Sequence, residues 1–97
     1  RELREETSGS VSQVKGLNRY HKGLDQETLE EYSPEQRQYI VAIDRAVKDI
    51  RTLERRLRSI EKPLEEGREL SLENQRAVAA IKSQIREIAD RALGLQD

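Results

Sequence analysis

Residues 40–64 read IVAIDRAVKDIRTLERRLRSIEKPL, apolar residues spaced through a charged background. Ile40, Ile43, Val47, Ile50, Leu53, Leu57, Ile60 and Leu64 recur at steps of three and four. That is the period of one face of an α-helix. The charged face between them offers Asp44–Lys48, Arg45–Asp49 and Glu54–Arg58 at i,i+4, each pair worth a few tenths of a kcal/mol.

The start of this helix is marked by Ser33-Pro34-Glu35-Gln36. Ser is a favoured N-cap, Pro fits the first helical position, and Gln three residues after the cap completes a capping box. Its end is less sharply marked. Pro63 lacks an N–H and crowds the Ser59 carbonyl, so a break near Lys62 is one reading. The apolar series continues to Leu64, however, and Gly67 suits the residue after a helix end. A kinked last turn reaching about Glu66 is the expectation.

Ser71 then caps a last helix through about Leu93, ending near Gly94. Along it Val78, Ile81, Ile85, Ile88, Ala92 and Leu95 step alternately by three and four, a heptad seam. The two seams match in reverse order: Leu57 faces Val78, Leu53 faces Ile81, Ile50 faces Ile85, Val47 faces Ile88, Ile43 faces Ala92 and Ile40 faces Leu95. Only Ile60 meets a polar zone, at Asn74 and Gln75. A short link forces antiparallel neighbours. The expectation is an all-α fold built on a coiled-coil-like antiparallel helical hairpin over Pro34–Leu93, roughly 40 Å long at 1.5 Å per residue.

Val41, Ala46, Leu53 and Ile60 widen the long helix beyond this seam, and Ala77, Ala80 and Ala89 flank the last one. A two-helix hairpin rarely buries enough to offset its ordering entropy. A third element is needed: either the N-terminal segment, giving a three-helix bundle, or a second copy, giving a dimeric four-helix bundle.

Upstream the signal thins. Residues 1–10 read as a frayed element or linker, and Val11, Val14, Leu17 and Leu24 are sparse apolar positions. Lys-Gly-Leu recurs at 15–17 and 22–24, but each helical Gly costs about 1 kcal/mol against Ala. A weak helix at most is expected over 11–22. Asp25 caps a two-turn helix over Gln26–Tyr32, with Leu29 and Tyr32 facing inward. The chain thus divides into a partly helical arm, 1–32, and the hairpin, 33–97.

Composition narrows the function classes. Hydrophobic residues make up 34% and charged residues 38%, with no Phe, Trp, Met or Cys; globular domains average ~45–50% and ~25%. Long helices with narrow seams suit these numbers better than a compact core. The net charge of −1 argues against a basic field over the whole chain. Without Cys there is no disulfide or thiolate metal site, which suits a cytoplasmic protein. No apolar run approaches the ~18 residues of a membrane span. The chain begins at Arg1 without Met and reads as part of a longer protein.

Catalytic chemistry has little to build on. His21 is the single histidine, expected at a solvated or hydrogen-bonded surface, and it lacks a metal-ligating or nucleophilic companion. Acidic pairs such as Glu30-Glu31 and Glu65-Glu66 read as solvated faces, and no Gly-rich phosphate loop is present. No catalytic residue, metal, cofactor or small-molecule substrate is expected. Tyr20, Tyr32 and Tyr39 are the large amphipathic anchors, suited to clamping the arm onto the hairpin or to an interface.

Lys48, Arg51, Arg55, Arg58 and Lys62 form a second row at three and four, with Arg56 nearby. Such a row either pairs with acids along the seam or contacts a phosphate backbone or an acidic partner. Glu54, Glu61, Glu65 and Glu66 dilute it, and no aromatic beyond Tyr39 lies on this helix to stack a base.

The run Ile43-Asp44-Arg45 … Ile50 … Gly67-Arg68-Glu69-Leu70 … Ala77-Val78 resembles the N-terminal helical hairpin of caprin-family proteins. There an Ile-Asp-basic start, a Gly-x-x-Leu turn and an Ala-Val pair fall at similar spacing. The resemblance covers about half the chain, carried by Ile43, Asp44, Gly67, Leu70, Ala77 and Val78; Pro63 and residues 1–39 depart from it. It implies a coiled-coil segment of an RNA-granule or translation-control protein.

The expected function is a non-enzymatic protein–protein interaction and oligomerisation module of a larger scaffold or adaptor. It associates with itself as a homodimer through Ile43, Val47, Ile50, Leu53, Leu57, Val78, Ile81, Ile85 and Ile88. The alternative is an RNA-associated module using the basic row.

Overall fold

A computed structural model describes the backbone of residues 2–65 and 71–94 and the side chains of 9–62 and 71–94. It is helical throughout, with no strand among the described residues. The order is α1 (Glu2–Lys22), α2 (Gln26–Glu31), α3 (Pro34–Glu65) and α4 (Leu72–Gly94). The long helices α1, α3 and α4 each pack against the other two.

Capping geometry fixes the helix starts where the sequence placed them. The Gln36 N–H donates to Ser33 Oγ at 3.1 Å, and the Ser33 N–H donates to Gln36 Oε1 at 2.8 Å, closing the box reciprocally. The Asn74 N–H donates to Ser71 Oγ at 3.1 Å. At α2 the Thr28 N–H donates to Asp25 Oδ1 at 2.8 Å, and that bond holds the Asp25 carboxyl below the usual carboxylate range. Arg37 Nη2 ties α2 to α3 by donating to the Glu30 carbonyl at 2.9 Å. Leu29 and Tyr32, expected to face inward, are half-buried.

Helix α3 runs through position 63 to Glu65 without the break that Pro63 allowed. A proline this close to a helix end forfeits one bond, to the carbonyl of Ser59, and Ser59 is exposed. The turn at Gly67 and Leu70 and the seam position Leu95 lie outside the residues described, as does the side chain of Leu64.

The largest departure is α1. In place of a weak helix over 11–22 the chain forms a helix of 21 residues from Glu2 to Lys22. Val14 is wholly buried, and Val11, Asn18 and His21 are each less than a tenth exposed. These four positions step by three, four and three, so one stripe docks the helix despite Gly9 and Gly16. Docking supplies what propensity lacks.

The core joins Val11 and Val14 of α1 to Ile43, Ala46, Val47 and Ile50 of α3, and to Ile81, Ile85, Ala89 and Ala92 of α4. Ile43, Val47 and Ile50 are at most 1% exposed. Burying such side chains stabilises by about 1.5–3 kcal/mol each. The alanines admit close approach of the helix backbones. Because the seams are narrow the molecule is a rod, with extents of 53 × 23 × 19 Å.

Candidate interaction surfaces

Ion pairs set α1 against α3. Lys15 Nζ meets Glu54 Oε1 at 2.9 Å, and Lys22 Nζ meets Asp44 Oδ1 at 3.4 Å. Because 22 lies by 44 and 15 by 54, the two helices run in opposite senses. Asp44 is shared with Lys48 at 3.0 Å, and the Lys48 bond is the first cause lowering the Asp44 carboxyl's affinity for protons. Glu54, an expected partner of Arg58, turns instead to Lys15. Ser10 Oγ donates to Asp90 Oδ1 at 3.1 Å, fastening α1 to α4.

The seam residues separate into two sets. Ile43, Val47, Ile50, Ile81 and Ile85 are buried within the single chain. They hold the helices together and have no surface left for a second copy. Leu53, Leu57, Val78 and Ile88 are half-buried. On α4 the buried seam passes through Ala89 rather than Ile88, which lies at its edge.

Leu53 and Ile88 share a groove of about 480 Å³ between α3 and α4, lined also by Asp49, Thr52, Arg56, Gln84, Glu87 and Arg91. All its walls come from those two helices. The rim alternates in sign, and the Arg91–Glu87 pair closes at 2.7 Å. One heptad along, Ile60 is half-buried on the same side of α3, while Ala77 and Ala80 lie on the same side of α4.

The basic row is on the outside. Lys48, Arg51, Arg55, Arg58 and Lys62 are all exposed, as is Arg56. Lys48 spends its charge on Asp44, whereas Arg55 Nη2 donates to Thr52 Oγ1 at 3.3 Å.

His21 corrects an expectation: it is buried, 8% exposed, near the end of α1. Its ring meets Tyr39 edge-on, with centroids 5.8 Å apart at 81°, and Tyr20 at 5.9 Å. Nδ1 is enclosed without a hydrogen-bond partner, and burial lowers the imidazole pKa below its ordinary 6.5. Tyr39, half-buried, thus serves as the clamp between α1 and α3, while Tyr20 is 62% exposed. Asn18 and His21 are polar, so hydrophobic period alone does not assign them to a buried stripe. Their spacing from Val11 and Val14 was the available signal.

Among the described residues no group of three or more His, Cys, Asp or Glu is placed to hold a metal ion, and no helix is long and apolar enough to cross a membrane. No family model, curated protein or solved structure matches this chain.

Proposed function

We propose that this chain is a non-enzymatic protein–protein interaction and oligomerisation module of a larger scaffold or adaptor protein. It is read as an antiparallel α3–α4 hairpin closed on one side by α1 into a three-helix bundle. It pairs with a second copy across the α3–α4 groove. A cytoplasmic setting, supported by the absence of Cys, belongs to this reading. The caprin-like positions Ile43, Asp44, Ala77 and Val78 point to the same class of coiled-coil segment.

The observation that carries the proposal is the groove itself. It has an apolar floor at Leu53 and Ile88 and a rim of mixed sign. When two α3 helices cross antiparallel about Thr52 and Leu53, Asp49 of each copy stands opposite Arg56 of the other, so the surface complements itself. A stable dimer buries about 1,200–2,000 Å² in total, more than the groove alone provides. The strip through Ile60, Ala77 and Ala80 supplies the continuation.

A charge swap tests the register. Arg56→Asp places two acids opposite each other and is expected to weaken dimerisation at least about tenfold, equivalent to about 1.4 kcal/mol. Adding Asp49→Arg restores the opposition with signs reversed and should recover association. A swap that recovers nothing would remove this pairing.

A further inference from the structure

The fate of Glu54 and Glu61 changes how the basic row reads. In sequence they interrupt it; in the structure Glu54 is turned inward onto Lys15 at 2.9 and 3.1 Å, and Glu61 is half-buried. From Arg51 to Lys62 the exposed outer face of α3 therefore presents Arg51, Arg55, Arg56, Arg58 and Lys62, with the exposed hydroxyls of Thr52 and Ser59 between them. Among the described residues none of these five cations is paired with a carboxylate. On a chain whose net charge is −1, this is a segregated positive face.

We propose that this face binds double-stranded DNA through its phosphate backbone. An acidic helix is the poorer occupant, because the face offers Thr52 and Ser59 in place of an apolar floor, and exposed ion pairs contribute only about 0–1 kcal/mol each. A phosphate array adds counterion release to every contact. At about 100° per residue, Arg51, Arg58 and Lys62 lie on one shoulder of the helix and Arg56 on the other, roughly 140° away. A helix about 10–12 Å across with cations on both shoulders fits a B-form major groove about 12 Å wide. The deep, narrow major groove of A-form RNA does not admit it. No aromatic lies on this face between Arg51 and Lys62 to stack the bases of a single strand. Binding is sequence-independent, because backbone contacts position without specifying. The face shares Thr52 and Arg56 with the α3–α4 groove, so the test leaves both untouched and alters cations that lie outside the groove.

The test is fluorescence anisotropy of the whole chain with a labelled mixed-sequence DNA duplex of about two helical turns, titrated from low salt to about 0.2 M. The expected log–log salt slope is about −4, corresponding to four or five phosphate contacts. The variant Arg51→Gln/Arg55→Gln/Arg58→Gln should lose at least tenfold in affinity and about three units of that slope, with unchanged circular dichroism. Lys82→Gln, on the exposed side of α4, should bind as the parent does. Absence of binding, or a triple variant that binds like the parent, overturns the proposal. So does a poly-glutamate competitor that displaces DNA as well as unlabelled duplex, which would assign the face to acidic proteins. Equal affinity for duplex RNA would overturn the major-groove geometry.

Discussion

His21 is where a single proton bears on the fold. Burial lowers its pKa below 6.5, so between that value and the folded one the unfolded chain binds more protons. Stability is then full above about 6.5 and falls as pH drops through the window, levelling off below the folded pKa. Urea midpoints measured from about pH 7.5 to about pH 5.5 should show this decline in the parent, and His21→Gln should flatten it. An equal decline in both would place the acid sensitivity elsewhere. Gly16 makes the opposite kind of residue-scale prediction. A Cβ added there meets nothing within 4 Å, so Gly16→Ala should stabilise by about 0.5–1 kcal/mol, read as a higher urea midpoint at constant m.

Among the elements, the two whose ends carry chemical punctuation were legible before any coordinates. Ser33 and Gln36 fix the start of α3, Ser71 that of α4, and the three–four spacing of isoleucines sets their inner faces. Ser33→Ala removes one bond of the capping box and should cost about 1 kcal/mol of stability. Ile50→Ala opens the core and should cost about 2–5 kcal/mol, with thermal melts ranking the two. Helix α1 was not legible, for a physical reason. Its glycines lower intrinsic helicity, and half of its docking stripe is polar, so neither propensity nor hydrophobic period announces it. Tertiary burial of Val11, Val14, Asn18 and His21 overrides both. The interaction surfaces were half visible. The basic row could be counted in the sequence, but the inward turn of Glu54 depends on Lys15, 39 residues away. The groove likewise needed two helices placed side by side.

Across the whole molecule, α1 packs against both α3 and α4. Once α1 covers one side, Ile43, Val47, Ile50, Ile81 and Ile85 are committed within the chain. In the proposed dimer, association falls to the half-buried edge of the seam at Leu53 and Ile88. The same placement gives α3 two faces that meet at Thr52 and Arg56: the groove side with Leu53, and the outer side with Arg51, Arg55, Arg58 and Lys62. Self-association through the first should tolerate salt because its floor is apolar, whereas any phosphate contact through the second should weaken steeply.

Sedimentation equilibrium of this chain, at low and high salt, reads self-association across the groove without any label or probe. The expected result is a salt-tolerant dimer that Leu53→Asp or Ile88→Asp converts to monomer while helicity is retained. A parent chain that stays monomeric at high concentration, or a Leu53→Asp/Ile88→Asp variant with unchanged mass, would contradict it.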